Sequence, residues 1–298
     1  MNALSGSFFY FKLEIYRQRR IYLYIKNMIY ITGDLHNTID MTNLSAKRMR
    51  KYCSFQNVNY EEITNAIVLG DFGLPWYECH VDSEGIHPED KDDRYLLKWL
   101  IEKPFNILAV MGNHDNYAMI EKLPEVEMFG NKVLKVSKNI FYLKRGHFYN
   151  IEGHKFLALG GAESHDKESR KLNVNLWEQE LWSEEEEKDC LNRINEYIEK
   201  FGNEVDYIVS HTGPIEGIAC IESSCLEPEY REIFQQDRTV RFNNKIDSLL
   251  AYKKWFFGHW HTSWGYDNRK TSKYIPLFSS GFVITTPETV KKEADENS

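Results

Sequence analysis

The sequence predicts an α/β fold in which two mixed β-sheets pack on each other with helices outside. The first observation is a series of short apolar segments, each of which ends in Gly, Asp, Asn or His: MIYITGD, AIVLGD, NILAVMGNHD, DYIVSH and WFFGHWH. Segments of this length and composition are typical of buried strands that run into polar loops. The second observation is that helical patterns separate them, which predicts an α/β sheet.

Two helices and two hairpin regions complete this prediction. The helical stretches are DDRYLLKWLIEK and SEEEEKDCLNRINEYIEKFG, and in the second Ser183 is the expected N-cap and Gly202 the expected end. Alternating polarity and turn residues in 133–161 predict antiparallel hairpins, and SKYIPLFSSGFVITT has the same pattern. Antiparallel hairpins beside the α/β segments make the predicted sheets mixed.

Composition excludes several classes of protein. The 298 residues carry a net charge of -8, with 42% hydrophobic and 28% charged residues, so the chain lacks the overall basic charge of a protein that coats nucleic acid. It has no apolar run long enough to span a bilayer. Its five cysteines are scattered without a CxxC pair. We therefore expect a soluble cytoplasmic protein with reduced thiols.

The organisation predicted from Met28 onward is one domain, residues 28–286, followed by a polar tail, 287–298. Residues 1–27 are aromatic and basic, and three hypotheses remain open for them: a basic amphipathic helix for a membrane or a partner, an additional ordinary helix or strand, or a dispensable extension. We favour the extension because a clear strand begins at Met28. A polar insertion, residues 74–93, contains His80 and His87 and is expected at the rim of a cleft.

Polar side chains follow the predicted strands at five points along the chain: Asp34 and His36; Asp71; Asn113, His114 and Asp115; His211; His259 and His261. In open α/β sheets the carboxyl ends of the strands meet at one crevice, so distant residues converge there. Turn formation explains Asp or Asn after any single strand. It does not explain five such endings in succession.

These residue types predict a hydrolytic metal site. Carboxylate, amide and imidazole groups suit Mn, Fe or Zn, and the absence of cysteine argues against a purely structural zinc site. In an extended segment, residues i and i+2 point to the same side. We therefore expect His259 and His261 to share a site while Trp260 turns away, and the same holds for Asp34 and His36 on either side of Leu35.

The ordered blocks GDLH, GDFG, GNHD, SH and GHWH resemble the five motifs of the calcineurin-like metallophosphoesterase family. The resemblance covers most of the chain after Met28. It implies a four-layer αββα sandwich of two mixed β-sheets flanked by helices, with two divalent metal ions in one site. We expect Mn²⁺ as the first choice among Mn, Fe and Zn.

The resemblance also implies a role for each motif residue. One metal would be held by Asp34, His36 and His261, the other by Asn113, His211 and His259, with Asp71 bridging both. A metal-bridging hydroxide would attack phosphorus in line. His114 would protonate or stabilise the leaving oxygen, and Asp115 would orient the His114 ring.

Departures from the family pattern limit the choice of branch. Asn37 stands where the first motif often has Gly, and Leu74 and Pro75 stand where the protein serine/threonine phosphatase branch has an acid and an arginine. The segment LGGAESHDKESR, 159–170, occupies the place of a loop that often lies near the site. Its side chains are candidate substrate contacts, with a solvated surface turn as the alternative: His165, Asp166, Lys167 and Arg170.

The sequence therefore predicts a dinuclear metal-dependent phosphoesterase that acts on a phosphodiester, either a nucleotide or a short nucleic acid. A small-molecule phosphomonoesterase is the alternative enzyme. A non-catalytic metal-dependent phosphate-binding module is the alternative outside enzymes, and a membrane-tethered interaction protein acting through residues 1–27 is a third hypothesis. The sequence indicates no obligate protein partner.

Overall fold

The computed structural model describes residues 27–225 and 237–285, with the backbone alone for residues 222–225 and 266. The predictions made for residues 1–26 and for the tail, 287–298, lie outside the described residues. Within the described residues, no helix is both long and apolar enough to cross a membrane.

The described residues form fourteen strands and seven α-helices. The strands are β1 (Met28–Thr32), β2 (Ile63–Val68), β3 (His80–Asp82), β4 (Gly85–His87), β5 (Asn106–Ala109), β6 (Glu125–Met128), β7 (Asn131–Ser137), β8 (Ile140–Leu143), β9 (His147–Ile151), β10 (His154–Ala158), β11 (Glu204–Ser210), β12 (Ala251–Phe257), β13 (Tyr274–Pro276) and β14 (Gly281–Thr285). The helices are α1 (Ala46–Phe55), α2 (Lys91–Ile101), α3 (Tyr117–Ile120), α4 (Glu184–Phe201), α5 (Ile215–Cys225), α6 (Arg238–Leu249) and α7 (Tyr266–Thr271).

Two mixed sheets contain most of the strands. The seven-stranded sheet has the order β14-β1-β2-β5-β8-β7-β6, and the five-stranded sheet has the order β13-β12-β11-β10-β9. Strands β1, β2, β5 and β8 are parallel, as are β10, β11, β12 and β13, while the remaining strands of both sheets pair antiparallel. The predicted mixed α/β fold is confirmed.

The alternation of side chains along the strands produces four layers. In β1, Tyr30 packs in a core with Met49 of α1, whereas Ile31 packs between the sheets with Phe256 of β12. The next residue of β12, Phe257, lies in a third core with side chains of α4 and α6. Successive side chains of a strand point to opposite faces, so each central strand is apolar on both faces and the order of layers is αββα.

Helix α4 forms as the sequence predicts. The Ser183 hydroxyl accepts a hydrogen bond from the Glu186 N–H, and the Glu186 side chain accepts one from the Ser183 N–H, which completes a capping box. Gly202 ends the helix with φ of 81°. The first helical stretch also forms, as α2, with Asp90 as its N-cap.

One hairpin prediction is confirmed and the other is wrong. Residues 131–158 form two antiparallel hairpins, β7–β8 and β9–β10, although each hairpin belongs to a different sheet. The segment 274–285 forms no hairpin, because β13 pairs parallel with β12 and β14 pairs antiparallel with β1. Alternating polarity indicates a strand with two distinct faces, but it does not identify the strand beside it.

Candidate metal centre

The predicted residues of the five motifs lie just beyond the carboxyl ends of parallel strands. In the seven-stranded sheet, Asp34 and His36 follow β1, Asp71 follows β2, and Asn113 to Asp115 follow β5. In the five-stranded sheet, His211 follows β11, and His259 and His261 follow β12. Because the two sheets pack face to face, their carboxyl ends enclose one crevice.

Several residues at this edge of the sheets have left-handed backbone. Nine non-glycine residues of the described chain have positive φ, and five of them lie here: His36, Asn37, Asp71, His259 and His261. The extended geometry assumed for the i and i+2 pairs is therefore wrong, although both pairs do reach the crevice. Left-handed backbone in non-glycine residues costs free energy and concentrates at functional sites.

Two motif glycines allow the segments to approach one another. A Cβ on Gly258 would lie 2.1 Å from Oδ1 of Asp34, and a Cβ on Gly112 would lie 2.2 Å from Oδ1 of Asp71. Any other residue at either position would collide with a carboxylate from another strand end. The glycines of the third and fifth motifs are thus required by the acidic residues of the second and first motifs, respectively.

Asp34, His36 and His261 form the first cluster of candidate ligands. One ligand atom from each lies within 4.8 Å of the others, and Nε2 of His261 is 3.4 Å from Oδ2 of Asp34. Asp34 is fully buried, and both of its oxygens accept a hydrogen bond from the His259 N–H, at 3.2 Å. The carboxylate is held by the backbone of a segment that carries another candidate ligand.

Asp71 lies between the two clusters. Its Oδ2 is 3.3 Å from Nε2 of His36, and its Oδ1 is 3.2 Å from Nε2 of His211. Burial alone would raise the pKa of this carboxyl, but His211 and His36 hold the pKa of Asp71 well below its usual range. Asp71 is therefore ionised and presents one oxygen to each side.

The second cluster contains His211, Asn113 and His259. Nδ1 of His211 lies 2.7 Å from the Leu69 carbonyl oxygen, which only accepts, so Nδ1 carries the proton of that bond. Nε2 then faces Oδ1 of Asn113 at 2.9 Å as well as the Asp71 carboxylate. The ring of His259 lies 5.0 Å from the ring of His211.

This arrangement fits bound divalent cations. A neutral His211 would place the lone pair of Nε2 against two oxygen acceptors, which is unfavourable unless a positive charge lies among them. Burial lowers the pKa of His36 and of His211, but the Asp71 carboxylate outweighs burial and raises both to about 9. The cluster thus attracts positive charge to the positions where a cation would be held by oxygen and imidazole ligands.

Asp40, which lies outside the five motifs and was not predicted as a site residue, contacts the His36 ring on the side away from the crevice. Oδ2 of Asp40 is 2.9 Å from Nδ1 of His36, so Nε2 is the nitrogen that faces the crevice. A carboxylate on the outer nitrogen of a histidine is the usual support of a metal-binding imidazole. The four-residue spacing between His36 and Asp40 is the one sequence signal that indicates this pair.

His114 lies at the crevice, but the role expected of Asp115 is wrong. The oxygens of Asp115 accept hydrogen bonds from the N–H groups of Gly73 and Gly112, both at 2.7 Å, and from the Tyr142 hydroxyl at 3.1 Å. Asp115 is fully buried and ties the second and third motifs together. In the described structure it is Arg170, not Asp115, whose side chain contacts the His114 ring.

Arg170 is the rim residue that reaches the centre. Its Nη2 is 2.9 Å from Nδ1 of His114 and also contacts Nε2, while its Nε is 2.7 Å from Oδ1 of Asp166. His165 packs its ring edge-on against His259. Lys167 is directed to Glu163 at 2.7 Å. Of the predicted rim side chains, Arg170 and His165 thus adjoin the cluster, whereas Lys167 forms an ion pair within the loop.

Comparison with known proteins places the chain in a family. No curated protein matches it. Among solved structures, the chain is similar to one described as "GAP50 the anchor in the inner membrane complex of Plasmodium", at 11% identity and a TM-score of 0.42, over 85% of this chain and 71% of that chain. The family model of the calcineurin-like phosphoesterases matches residues 28–263. This match covers most of the chain, and the protein therefore belongs to the calcineurin-like phosphoesterase family.

Proposed function

We propose that the protein is a dinuclear metal-dependent phosphoesterase. The position of Asp71 is the observation that carries the proposal, because one buried carboxylate presents an oxygen to His36 on one side and to His211 on the other. Family membership and the clustered ligand atoms support metal-dependent phosphoester hydrolysis. The clusters on either side of Asp71 support two ions rather than one.

The ligand sets follow from the two clusters. One ion would be held by Asp34, His36 and His261, the other by Asn113, His211 and His259, and Asp71 would serve both. Two divalent cations in such a site supply Lewis acidity, an activated water at neutral pH and charge neutralisation for the phosphate. We expect Mn²⁺ to support activity, although oxygen and nitrogen ligands also accept Fe and Zn.

Two side chains outside the ligand sets would act on the substrate. Arg170 contacts the His114 ring from a position fixed by Asp166, and its N–H groups are suited to bind phosphate oxygens. A bound phosphate would take these donors from His114. The released imidazole would then donate a proton or a hydrogen bond to the leaving oxygen.

A phosphodiester is the proposed substrate, in the form of a nucleotide or a short nucleic acid. His114 adjoins a surface formed by Trp76, Asn116, Val174, Asn175 and Trp177. Trp177 is buried, but the partly buried indole ring of Trp76 makes this surface partly aromatic, which favours an ester with a planar group over a bare sugar phosphate. Leu74 and Pro75 replace the acid and arginine of the phosphoprotein phosphatases, which supports the same choice.

The test is hydrolysis of bis-p-nitrophenyl phosphate and of p-nitrophenyl phosphate by metal-stripped protein to which Mn²⁺ is restored. Asp71→Ala should bind less metal and lose turnover to background. Asp206→Ala is the matched control, because Asp206 is a carboxylate paired with Lys253 near the opposite ends of the strands. Faster turnover of the diester supports the phosphodiester proposal, and faster turnover of the monoester contradicts it.

Substitution of His114 separates an enzyme from a phosphate-binding module. His114→Ala in an enzyme should lower turnover by about 10²–10⁴-fold while both ions stay bound. The protein would be a binding module instead if it bound two ions but hydrolysed neither ester, and if His114→Ala left its affinity for phosphate unchanged.

A further inference from the structure

We infer that Ser164 and Glu180 are positioning residues that orient the Asn113 amide, so that its oxygen faces the second ion. The inference rests on the proposed function, in which Asn113 is a ligand of that ion. Neither Ser164 nor Glu180 belongs to the five motifs. Both lie in or beside the loop that follows β10, where the sequence indicated substrate contacts.

A continuous buried chain of hydrogen bonds joins Glu180 to Asn113. Nδ2 of Asn113 donates to Oγ of Ser164 at 3.1 Å, and Oγ of Ser164 donates to Oε2 of Glu180 at 2.7 Å. The Ser164 N–H donates to the other oxygen of Glu180 at 2.9 Å. All three residues are at most 2% exposed, so water does not compete for these bonds.

The chemistry of each group fixes the direction of this chain. A carboxylate only accepts hydrogen bonds, so the single hydroxyl hydrogen of Ser164 must be directed toward Glu180. The lone pair that remains on Oγ then accepts, and only the NH₂ of the Asn113 amide is able to supply that hydrogen. The amide oxygen is thereby turned toward Nε2 of His211, 2.9 Å away. With the opposite amide rotamer, NH₂ would face the cation and repel it.

The backbone around Glu180 is itself fixed against the site. A Cβ on Gly161 would lie 2.2 Å from the Glu180 carbonyl oxygen, and the indole N–H of Trp182 donates to the Gly160 carbonyl at 2.8 Å. Nη1 of Arg145 donates to the Gln179 carbonyl at 2.8 Å. These contacts fix the position of the Glu180 backbone.

The experiment is calorimetric titration of the full-length, metal-stripped protein with Mn²⁺. Ser164→Ala and Glu180→Gln should leave one ion bound with wild-type affinity and weaken the other by roughly 10–100-fold, the usual effect of removing a group that orients a metal ligand. The Mn²⁺ concentration for half-maximal hydrolysis should rise by the same factor, while the rate at saturating Mn²⁺ stays near that of the wild type.

Glu152→Gln is the matched control. Glu152 also accepts hydrogen bonds from a hydroxyl and an amide, those of Thr64 at 2.8 Å and Asn65 at 2.7 Å, near the opposite end of β2. It should bind both ions as the wild type does. A general loss of packing in the Ser164 or Glu180 variants would lower the maximal rate and weaken both ions together, which would overturn the inference.

Two failures remain distinguishable. If the wild-type protein binds two ions and the variants bind both with unchanged affinity, the role of Ser164 and Glu180 is overturned and the proposed function remains intact. Wild-type protein that binds fewer than two ions overturns the dinuclear proposal itself, and the inference fails with it.

Discussion

The two sheets contribute different chemistry to the centre. The seven-stranded sheet carries every proposed oxygen ligand, Asp34, Asp71 and Asn113, together with His36, whereas the five-stranded sheet carries only proposed imidazole ligands, His211, His259 and His261. Each proposed ion takes ligands from both. Neither sheet holds a complete proposed ligand set, so the proposed metal centre depends on the packing of one sheet against the other.

The largest effect is expected at Gly258, where a strand end of one sheet closely approaches a carboxylate of the other. Gly258→Ala would place a methyl group 2.1 Å from Oδ1 of Asp34 and 2.9 Å from the Leu69 carbonyl oxygen. Either the strand end or the carboxylate must move, and we expect metal binding to be lost and hydrolysis to fall to background. Metal content after dialysis and the rate with bis-p-nitrophenyl phosphate measure both.

Gly265→Ala is the control for this substitution. It lies in the same segment, but a Cβ there would meet no described atom within 4 Å. It should keep its ions and its rate. Full activity of Gly258→Ala would show that the sheets do not need this close approach.

The second prediction compares two histidines of the five-stranded sheet. The side chain of His211 is fully buried, whereas that of His261 is 53% exposed and stacks on Phe278. Both alanine variants should lose activity. In metal-free protein, His211→Ala should lower the free energy of unfolding by about 1–3 kcal/mol because the Leu69 carbonyl and Asp71 lose a buried partner. His261→Ala should change it by less than about 0.5 kcal/mol.

Urea titration of the chelated variants measures this difference. Equal destabilisation by the two substitutions would show that burial does not separate the two histidines. A stable His211→Ala variant would indicate that Asp71 finds another partner in the metal-free protein.

The third prediction concerns the seven-stranded sheet. Asp40→Asn keeps the shape of the side chain but weakens the acceptor of the His36 ring N–H, so the first ion should bind roughly 10–100-fold more weakly. Asp82→Asn is the control, since Asp82 pairs with His87 at 3.0 Å in the β3–β4 hairpin. Titration with Mn²⁺ should show a weakened site only in the Asp40→Asn variant. If both sites of that variant keep the wild-type affinity, Asp40 does not support the metal centre.

The last prediction involves one histidine from each sheet. The Asp71 carboxylate outweighs burial and raises the pKa of His36 and of His211 to about 9, so both imidazoles carry an extra proton at neutral pH without metal. A cation must displace these protons. Apparent metal affinity should therefore fall as pH decreases below about 9, by about tenfold per pH unit for each proton released. Calorimetry in two buffers of different ionisation enthalpy counts the protons, and a count of zero would contradict the pairing with Asp71.

Local pattern predicted most of the fold. Apolar runs ending in Gly, Asp, Asn or His identified β1, β2, β5, β11 and β12, and capping residues identified α4, because periodicity and caps act over a few residues. The pattern failed at 274–285, where β13 and β14 belong to different sheets. Strand partners depend on contacts between distant segments, as the pairing of Met28 with Thr285 shows.

The sequence by itself determined which residues end the strands, and these converge because parallel strands share one edge. Only the tertiary structure decided their hydrogen-bond partners. In the tertiary structure, Asp115 accepts hydrogen bonds from Gly73, Gly112 and Tyr142. Arg170 contacts His114, and Ser164 connects Glu180 to Asn113. These choices depend on the separation and direction of groups far apart in the chain, which packing of the two sheets sets and local sequence does not encode.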